Sequence, residues 1–324
     1  MPKSVSRRAL LAGMASAPFI RNANAQGAWP TRPVQVMVPY PPAGGADTTA
    51  RILYAKAGAM LGQNFVIENR GGAGGTIGEA VVAKAAPDGY SILHDATAFS
   101  VNGALYSNLS FDYNRDFDAI ALVSLVPNIL VVTPSLPVNT LADVIAYAKA
   151  APDGIDMASS GNGTLQHLSL EMFRFMTGTK VNHVPYRGGG PALNDVMSGQ
   201  VKLFFSNGSS VVGLIQAGTV KAICHTGKGR LKSLPDIPPA SDTLPGFDAY
   251  EWNGVFVPHG TPQAIVRTLN GTINEAIRSA EVKDRFEQLN IETRANTPEE
   301  FLAFVKDQMA RWGKVVKDAN IKLG

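Results

Sequence analysis

The sequence predicts an α/β protein of two units in series, the first of which is discontinuous. Short apolar strands alternate with helical segments from residue 33 to 94, and the same alternation resumes from 128 to 226. This order is typical of parallel sheets with helices on both faces. The C-terminal region is mostly helical with one strand at 252–258, too little for a core of its own. We therefore expect it to pack back on the first unit, which makes the chain cross between the units twice.

The predicted elements of the first unit are bounded by proline, asparagine and glycine. Apolar positions recur at helical spacing over 46–61, and a second helix over 76–86 ends before a Pro-Asp-Gly turn. The predicted strands are the short apolar runs at 33–39, 64–69 and 90–94.

The second unit repeats this order, and the C-terminal helices carry start signals. Thr140 is the predicted N-cap of a helix over 140–150. Thr261 precedes a proline at a first helical position. Thr297 and Glu300 have the spacing of a capping box, and the helix after them is expected to end near residue 317. The other predicted elements are helices at 165–177 and 191–199 and strands at 128–133, 156–159, 182–184, 203–206 and 222–226.

The N-terminus has the features of an export signal. Lys3, Arg7 and Arg8 precede an apolar run over 9–20, and Ala23-Asn24-Ala25 fits a small-x-small cleavage pattern. The paired arginines also fit the twin-arginine route. We expect residues 1–25 to be removed as a signal peptide and the mature protein to reside in the periplasm, whereas the alternative is an N-terminal amphipathic helix.

The formal net charge of +3 over 324 residues belongs to that leader. Four of the 29 basic residues and none of the 26 acidic residues precede residue 26, so the remaining chain has one more acidic than basic residue. Its basic residues are scattered rather than interleaved with aromatic ones, which argues against a nucleic-acid partner. We expect a monomer.

The sequence contains no recognisable catalytic or metal-binding pattern. The five histidines are far apart, there is no G-x-S-x-G element, and Cys224 is the only cysteine. We expect Cys224 to be a packed, unreactive thiol in a strand. We predict no enzyme activity, no cofactor and no metal.

Two glycine-containing loops each join a strand to a helix and suit an anion. The first contains Gly44 and Gly45, and the second runs from Ser159 to Thr164. Glycine lets a ligand approach the backbone, and a helix start offers free N–H groups and the positive end of its dipole. Because ligands bind at the carboxyl ends of parallel strands, we expect the loops to face one cleft. The alternative for the first is a tight turn capped by Asp47 or Thr48.

Three further residues follow strands and are weaker candidates for the cleft wall. They are Thr97, Tyr186 and Asn207. For Asn207 the turn chemistry of Asn-Gly is an equally good explanation. The glycine-rich run over 70–78 departs from G-x-G-x-x-G at Ile77 and follows the second strand, so we interpret it as a flexible loop.

At these loops the sequence resembles the periplasmic receptors of tripartite tricarboxylate transporters, the TctC or Bug family. The runs that carry the resemblance are PYPPAGGADTTAR, ENRGGAGGTIGEAVVAKAAPDGYSIL, SSGNGTLQHLSLEMF and HVPYRGGGPALNDVMSGQV. The likeness covers essentially the whole mature chain. It implies a two-domain clamshell of the Venus flytrap type (type II) with two interdomain crossings, with domain 1 over 26–126 plus 251–324 and domain 2 over 127–250.

The resemblance also implies the function and its residues. A small organic mono- or dicarboxylate is captured between the domains and delivered to the membrane permease of the transporter. The residues implied to contact it, largely through backbone N–H groups and ordered waters, are Ala43, Gly44, Gly45 and Asp47 in the first loop and Gly161, Gly163 and Thr164 in the second, with Thr97, Tyr186 and Asn207 in the wall. The segment from Asn207 to Ser210 replaces the proline-bearing turn usual in the family.

Two other functions remain open at this point. An exported hydrolase would use the glycine loops as an oxyanion hole, but it needs a nucleophile and base for which the sequence has no motif. A sensory binding module would present its closed form to a signalling partner, and sequence does not separate it from a transport receptor.

Overall fold

The computed structural model of the protein describes residues 29–318 and residue 321. The predicted signal peptide therefore lies outside the described residues. Within them, no helix is both long and apolar enough to cross a membrane. The strands are β1 (Val34–Val38), β2 (Phe65–Asn69), β3 (Ser91–Ala96), β4 (Phe117–Val132), β5 (Ile155–Ser159), β6 (Val181–Pro185), β7 (Leu203–Asn207), β8 (Lys221–His225) and β9 (Tyr250–Pro258). The α-helices are α1 (Gly45–Leu61), α2 (Thr76–Ala83), α3 (Asn102–Leu105), α4 (Leu141–Ala150), α5 (Leu165–Thr177), α6 (Gly189–Ser198), α7 (Gly208–Gln216), α8 (Gln263–Arg278), α9 (Ala280–Gln288) and α10 (Pro298–Asp318).

The strands form a mixed sheet in two parts that share one long strand. The first part has the order β2-β1-β3-β9-β4, and the second has β8-β4-β7-β5-β6. We call each part with its covering helices a lobe: lobe 1 carries α1–α3 and α8–α10, and lobe 2 carries α4–α7. Strand β4 pairs with β9 from Phe117 to Pro127 and with β7 from Asn128 to Val132. The chain thus passes to lobe 2 within β4 and returns between β8 and β9, giving the two crossings expected.

Each part of the sheet is covered by helices on both faces. In lobe 1, alternate residues of β1 divide between two cores: Val34, Val36 and Val38 pack with α1, α8 and α9, whereas Met37 packs with α2 and α10. In lobe 2 one core lies under α4 and α5 and the other under α6 and α7. The period-2 alternation of a strand produces this two-sided burial.

The C-terminal region packs on lobe 1, as expected, and then reaches lobe 2. Phe301 and Val305 of α10 are buried against Trp252 and Phe256 of β9. Further along, Trp312, Val316 and Ile321 pack with Leu165 and Leu168 of α5. The last helix therefore contacts both lobes.

Several sequence-based expectations about elements were wrong. β4 begins at Phe117 rather than near 128, and β4, β8 and β9 run antiparallel to neighbouring strands, so the sheet is mixed. Helices α3, α7 and α9 were not predicted. Thr261 does not cap α8, because the N-cap is Pro262 and the Thr261 hydroxyl donates to the Pro258 carbonyl instead. The capping boxes at Thr140 and Thr297 are both present.

Candidate functional site

A cavity lies between the lobes where four helices begin, and we call it the main cavity because both predicted anion loops reach it. α1, α5, α6 and α7 start at Gly45, Leu165, Gly189 and Gly208, and residues in or beside the first turn of each line the cavity. The first N–H groups of a helix have no partner within it, and the dipole adds positive potential there. The cavity is small, with a volume of about 40 Å³. This arrangement suits a small anion.

The first loop is held by a carboxylate that faces away from the cavity. Asp47 Oδ2 accepts hydrogen bonds from the Ala43 N–H (2.9 Å) and Arg51 Nε (2.9 Å), and Oδ1 accepts one from Asn69 Nδ2 (3.0 Å). Burial raises the pKa of the Asp47 carboxyl, but these hydrogen bonds outweigh it and hold the pKa below its ordinary value. Ala43 adopts a left-handed φ of 64° inside this hydrogen-bonded loop. Gly44, the N-cap of α1, supplies no side-chain cap, so the backbone faces the cavity.

The second loop is held by neutral side chains. The Gly163 N–H donates to His167 Nδ1 (3.2 Å), and the Gly161 N–H donates to Ser159 Oγ (3.1 Å), which itself lies 2.6 Å from His183 Nε2. The two imidazoles stack with ring centroids 4.1 Å apart. Burial lowers the pKa of His167 to about 3 and that of His183 to about 4, so both are neutral near pH 7.

Thr164 caps α5, and the one hydrogen that its hydroxyl can donate is used within the loop. It accepts a hydrogen bond from the His167 N–H (3.4 Å) and donates to the Gly161 carbonyl (2.7 Å). Thr164 therefore contributes loop geometry and part of the cavity wall, as Asp47 contributes geometry to the first loop.

The lobes touch at several glycines, three of which leave the least space for a side chain. A Cβ atom on Gly45 would lie 2.6 Å from the Asn207 side chain, one on Gly74 would lie 2.8 Å from the Asn162 carbonyl oxygen, and one on Gly188 would lie 2.8 Å from Pro41 Cγ. Each contact joins lobe 1 to lobe 2, so the lobes are closed in this structure. The closure is possible because glycine has no side chain at these positions.

The structure brings five of the ten predicted site residues to the main cavity. They are Gly44, Gly45, Thr97, Thr164 and Asn207. Gly161 and Tyr186 line a neighbouring cavity that shares Thr164 with the main one. Tyr186 donates its hydroxyl to Asp195 Oδ2 (2.5 Å), and burial together with this acid raises its pKa to about 12. Ala43, Asp47 and Gly163 line neither cavity and act through the loop geometry described above.

Asn207 and Ser210 present polar atoms without a partner to the main cavity. Asn207 Oδ1 accepts from the N–H and the hydroxyl of Ser209 (2.9 and 2.6 Å) and thereby caps α7. Asn207 Nδ2 and Ser210 Oγ are buried but have no hydrogen-bond partner among the described residues. An unpaired buried donor is costly, so these atoms favour a ligand that accepts hydrogen bonds.

The cavity residues that sequence reasoning missed include three polar ones: Gln166, Ser210 and Glu251. Gln166 lies in the first turn of α5, so the predicted N-terminus at Thr164 was a signal for it. Ser210 depends on α7, which was not predicted. Glu251 begins a strand, where an acid is ordinarily exposed, and no sequence signal marks its burial.

Tyr40 forms part of the wall and is anchored by a buried acidic group. Its hydroxyl donates to Asp95 Oδ1 (2.8 Å), and beyond it Glu79 accepts hydrogen bonds from Tyr113 and from Asn102 Nδ2. Burial and mutual repulsion raise the pKa of Glu79, and burial raises that of Asp95 to about 6. Among the described residues, no group of three or more His, Cys, Asp or Glu side chains is placed to hold a metal ion.

Comparison with known proteins gives one consistent family. Residues 49–321 match the model of the tripartite tricarboxylate transporter family receptor. The chain is 34% identical to the protein BugT of Bordetella pertussis over 298 residues, 91% of either chain. It is similar to the solved structures of R. palustris Rpa4515 with adipate (34% identity, TM-score 0.88, 91% of this chain and 99% of that one) and of MatC from Rhodopseudomonas palustris with bound malate (32%, 0.84, 89% and 99%).

Proposed function

Since the chain belongs to the receptor family of tripartite tricarboxylate transporters, we propose that it captures a small organic carboxylate between its lobes and delivers it to the transporter's membrane permease. The observation that carries the proposal is the convergence of four helix N-termini on one interlobe cavity. Backbone N–H groups and helix dipoles bind carboxylates without a cationic side chain. Two structural neighbours of this chain are described with adipate and with malate, which are carboxylates.

Binding by lobe closure follows from where the donors lie. The N-terminus of α1 belongs to lobe 1, and those of α5, α6 and α7 belong to lobe 2. A ligand reaches all four only when the lobes are closed, so its binding free energy shifts the open–closed equilibrium toward the closed form. The closed form is what we propose the permease recognises.

The proposal extends to the boundaries and location of the protein. We propose that domain 1 comprises 26–126 and 251–324 and domain 2 comprises 127–250, because β4 changes partners at Asn128. We propose that residues 1–25 are removed on export, that the mature protein acts in the periplasm as a monomer, and that it performs no catalysis.

A thermal-shift screen followed by calorimetry tests the function. We expect at least one small mono- or dicarboxylate to raise the melting temperature by mass action, while uncharged sugars and cations do not. A panel in which only sugars or cations stabilise the protein would refute the proposal.

The variant Gly44→Val tests where the carboxylate binds. Gly44 has φ −79°, and a Cβ there meets no atom closer than 3.6 Å, so the fold accommodates valine. We expect carboxylate affinity to fall at least tenfold with an unchanged melting temperature of the free protein. Gly271→Val, at an open position of α8, is the matched control. Unchanged affinity in Gly44→Val would place the carboxylate elsewhere.

A further inference from the structure

Glu251 is a buried acid in the wall of a cavity whose other features favour anions. It is 9% exposed and lies in β9 opposite Val126, one residue from the point where β4 passes between the lobes. Its Oε2 accepts a hydrogen bond from Gln166 Nε2 at 2.5 Å. Glu251 belongs to lobe 1 and Gln166 to lobe 2, so this bond spans the cavity.

No cationic side chain balances Glu251. Among the described residues that line the cavity, it is the only acid, and none of them is lysine, arginine or histidine. Burial raises the pKa of Glu251, and the nearby amides of Asn207 and Gln166 offset part of this. Gln166 occupies Oε2, and the Asn207 amide lies near the carboxylate without forming a hydrogen bond of ordinary geometry, so Oε1 retains an acceptor for a ligand.

A second acidic group on the ligand would meet this carboxylate at close range. Two carboxylates that share a poorly solvated site repel, and one must take up a proton for both to stay. An ammonium or a hydroxyl group at the same place would instead form a hydrogen bond, and with ammonium the bond is charge-assisted. The backbone donors at the helix starts then remain for the ligand's carboxylate.

We propose that Glu251 is the specificity-determining residue of the site and that it selects small carboxylic acids which also carry a hydroxyl or ammonium group. The inference rests on the proposed function, because it assumes a carboxylate in this cavity. Gln166 acts as a positioning residue: in the closed form it holds Glu251 Oε2, which orients Oε1 for the ligand.

Calorimetry on matched acids tests the proposal with the exported protein at pH 7.5. The probes are three sets that differ only in the substituent: succinate, malate and aspartate; glutarate, 2-hydroxyglutarate and glutamate; and butyrate, 3-hydroxybutyrate and 4-aminobutyrate. We expect a substituted acid in at least one set to bind about tenfold or more tightly than its unsubstituted parent, as a hydrogen bond to a charged group warrants.

The variant Glu251→Gln assigns that preference to the residue. Glutamine has the same shape and keeps one acceptor, so we expect the preference to shrink to about threefold or less. The loss should be larger for the ammonium-bearing acid than for the hydroxyl-bearing one, because only the ammonium loses an ion pair with the carboxylate. Glu275→Gln, which removes an exposed acid of α8, is the matched control and should leave every affinity unchanged.

The outcomes separate this inference from the function on which it rests. Carboxylates that bind without any preference for the substituted members, or a preference that survives in Glu251→Gln, would overturn the role of Glu251 and leave the receptor function standing. Unsubstituted acids that bind more tightly as the pH is lowered would mean that Glu251 binds them in its protonated form, which also overturns the proposal. No binding by any acid would overturn both.

Discussion

The loop before α1 and the loop before α5 occupy equivalent places in the two lobes but are held by opposite chemistry. The first depends on an ionised carboxylate, Asp47, that accepts three hydrogen bonds. The second depends on two neutral, stacked imidazoles, His167 and His183, and on the Thr164 hydroxyl. In both loops the side chains hold the backbone and the backbone faces the space between the lobes, so sequence similarity at the glycines conceals different supports.

The difference should appear most strongly as acid sensitivity of the second loop. His167 and His183 have pKa values of about 3 and about 4 in the folded protein, below the ordinary 6.5, because burial disfavours their charged forms. The unfolded chain takes up these protons below pH 6.5, so the stability is fully present above that pH and is lost as the pH falls toward 4. We expect unfolding free energy to fall by about 1.4 kcal/mol per pH unit for each histidine in that range.

Denaturant unfolding between pH 7.5 and 4.5 measures this fall in unfolding free energy, and a double variant assigns it to the two histidines. The substitutions His167→Asn and His183→Gln place an amide acceptor near each ring nitrogen that forms a hydrogen bond, but amides do not titrate. The unfolding free energy of the double variant should therefore depend less steeply on pH. His94, also buried with a pKa of about 3, leaves a residual slope in both proteins. His259→Gln changes a largely exposed histidine and is the control. Parallel profiles for wild type and double variant would contradict the prediction.

The first loop should show a smaller penalty, and its contribution should be lost only at a much lower pH than that of the histidines. Asp47→Ala removes the acceptor for the Ala43 N–H, Arg51 and Asn69, and we expect a loss of about 2–3 kcal/mol in unfolding free energy at pH 7. Because the folded pKa of Asp47 lies below its ordinary value of 3.8, its contribution is present above that value and is lost only as the pH falls through the lowered pKa. The penalty should therefore be constant from pH 5 to 8.

Asp47→Asn is the matched variant, since it keeps the shape and one acceptor and should lose less. Chemical unfolding at several pH values checks both substitutions. A penalty for Asp47→Ala that declines between pH 7 and 5 would remove the contrast between the loops.

A third test distinguishes the side chains that hold the first loop from the contact that this loop makes with the other lobe. Gly45→Ala would place a Cβ 2.6 Å from Asn207, whose side chain cannot easily move because it caps α7. We expect carboxylate affinity to fall about tenfold, close to 1.4 kcal/mol, while the free protein keeps its stability because alanine favours the first turn of α1. Gly271→Ala in α8 is the control for helix propensity. Full affinity in Gly45→Ala would show that closure does not need this contact.

The smallest expected effect is the loss of the cap on α5. Thr164→Ala removes one accepted and one donated hydrogen bond, which is worth about 1 kcal/mol of unfolding free energy. Thr140→Ala removes the equivalent cap of α4, which does not line the cavity. Thermal unfolding should show a similar loss of stability in both variants, and only Thr164→Ala should lower the affinity for the carboxylate. Equal affinity in the two would mean that the second loop keeps its shape without its cap.

Much of the fold could be predicted because its signals are local. Helices α1, α4 and α5 have apolar periodicity or caps within a few residues of their ends, and the strands of both parallel segments are short apolar runs. The first half of β4 lacks such a signal, because both of its faces are buried and alternation disappears. α7 begins at Asn207-Gly208, a pair that also favours a turn, and only its packing in lobe 2 selects the helix.

The site was harder to predict from the sequence because residues of both lobes form it. Glycine patterns identified the loops at Gly44, Gly45 and Thr164, since a helix N-terminus is a local property. They did not show that Asp47 points away from the cavity, which depends on Asn69 in the next strand. Nor did they identify Glu251, which is held by a hydrogen bond from Gln166 of the other lobe.

The strand β4 that the lobes share has a consequence for the order of folding. All the strands that lobe 2 adds to β4 lie between residues 155 and 225, so its pairings close over modest lengths of chain. The sheet of lobe 1 is complete only when β9 has paired, because β9 lies between β3 and β4. The residues that β9 pairs with precede it by more than 120 positions in the sequence. Non-local pairing is slow, since loop-closure entropy must be lost before the contact forms. We therefore expect lobe 2 to act as the folding nucleus, with lobe 1 assembled on the strand that projects from it.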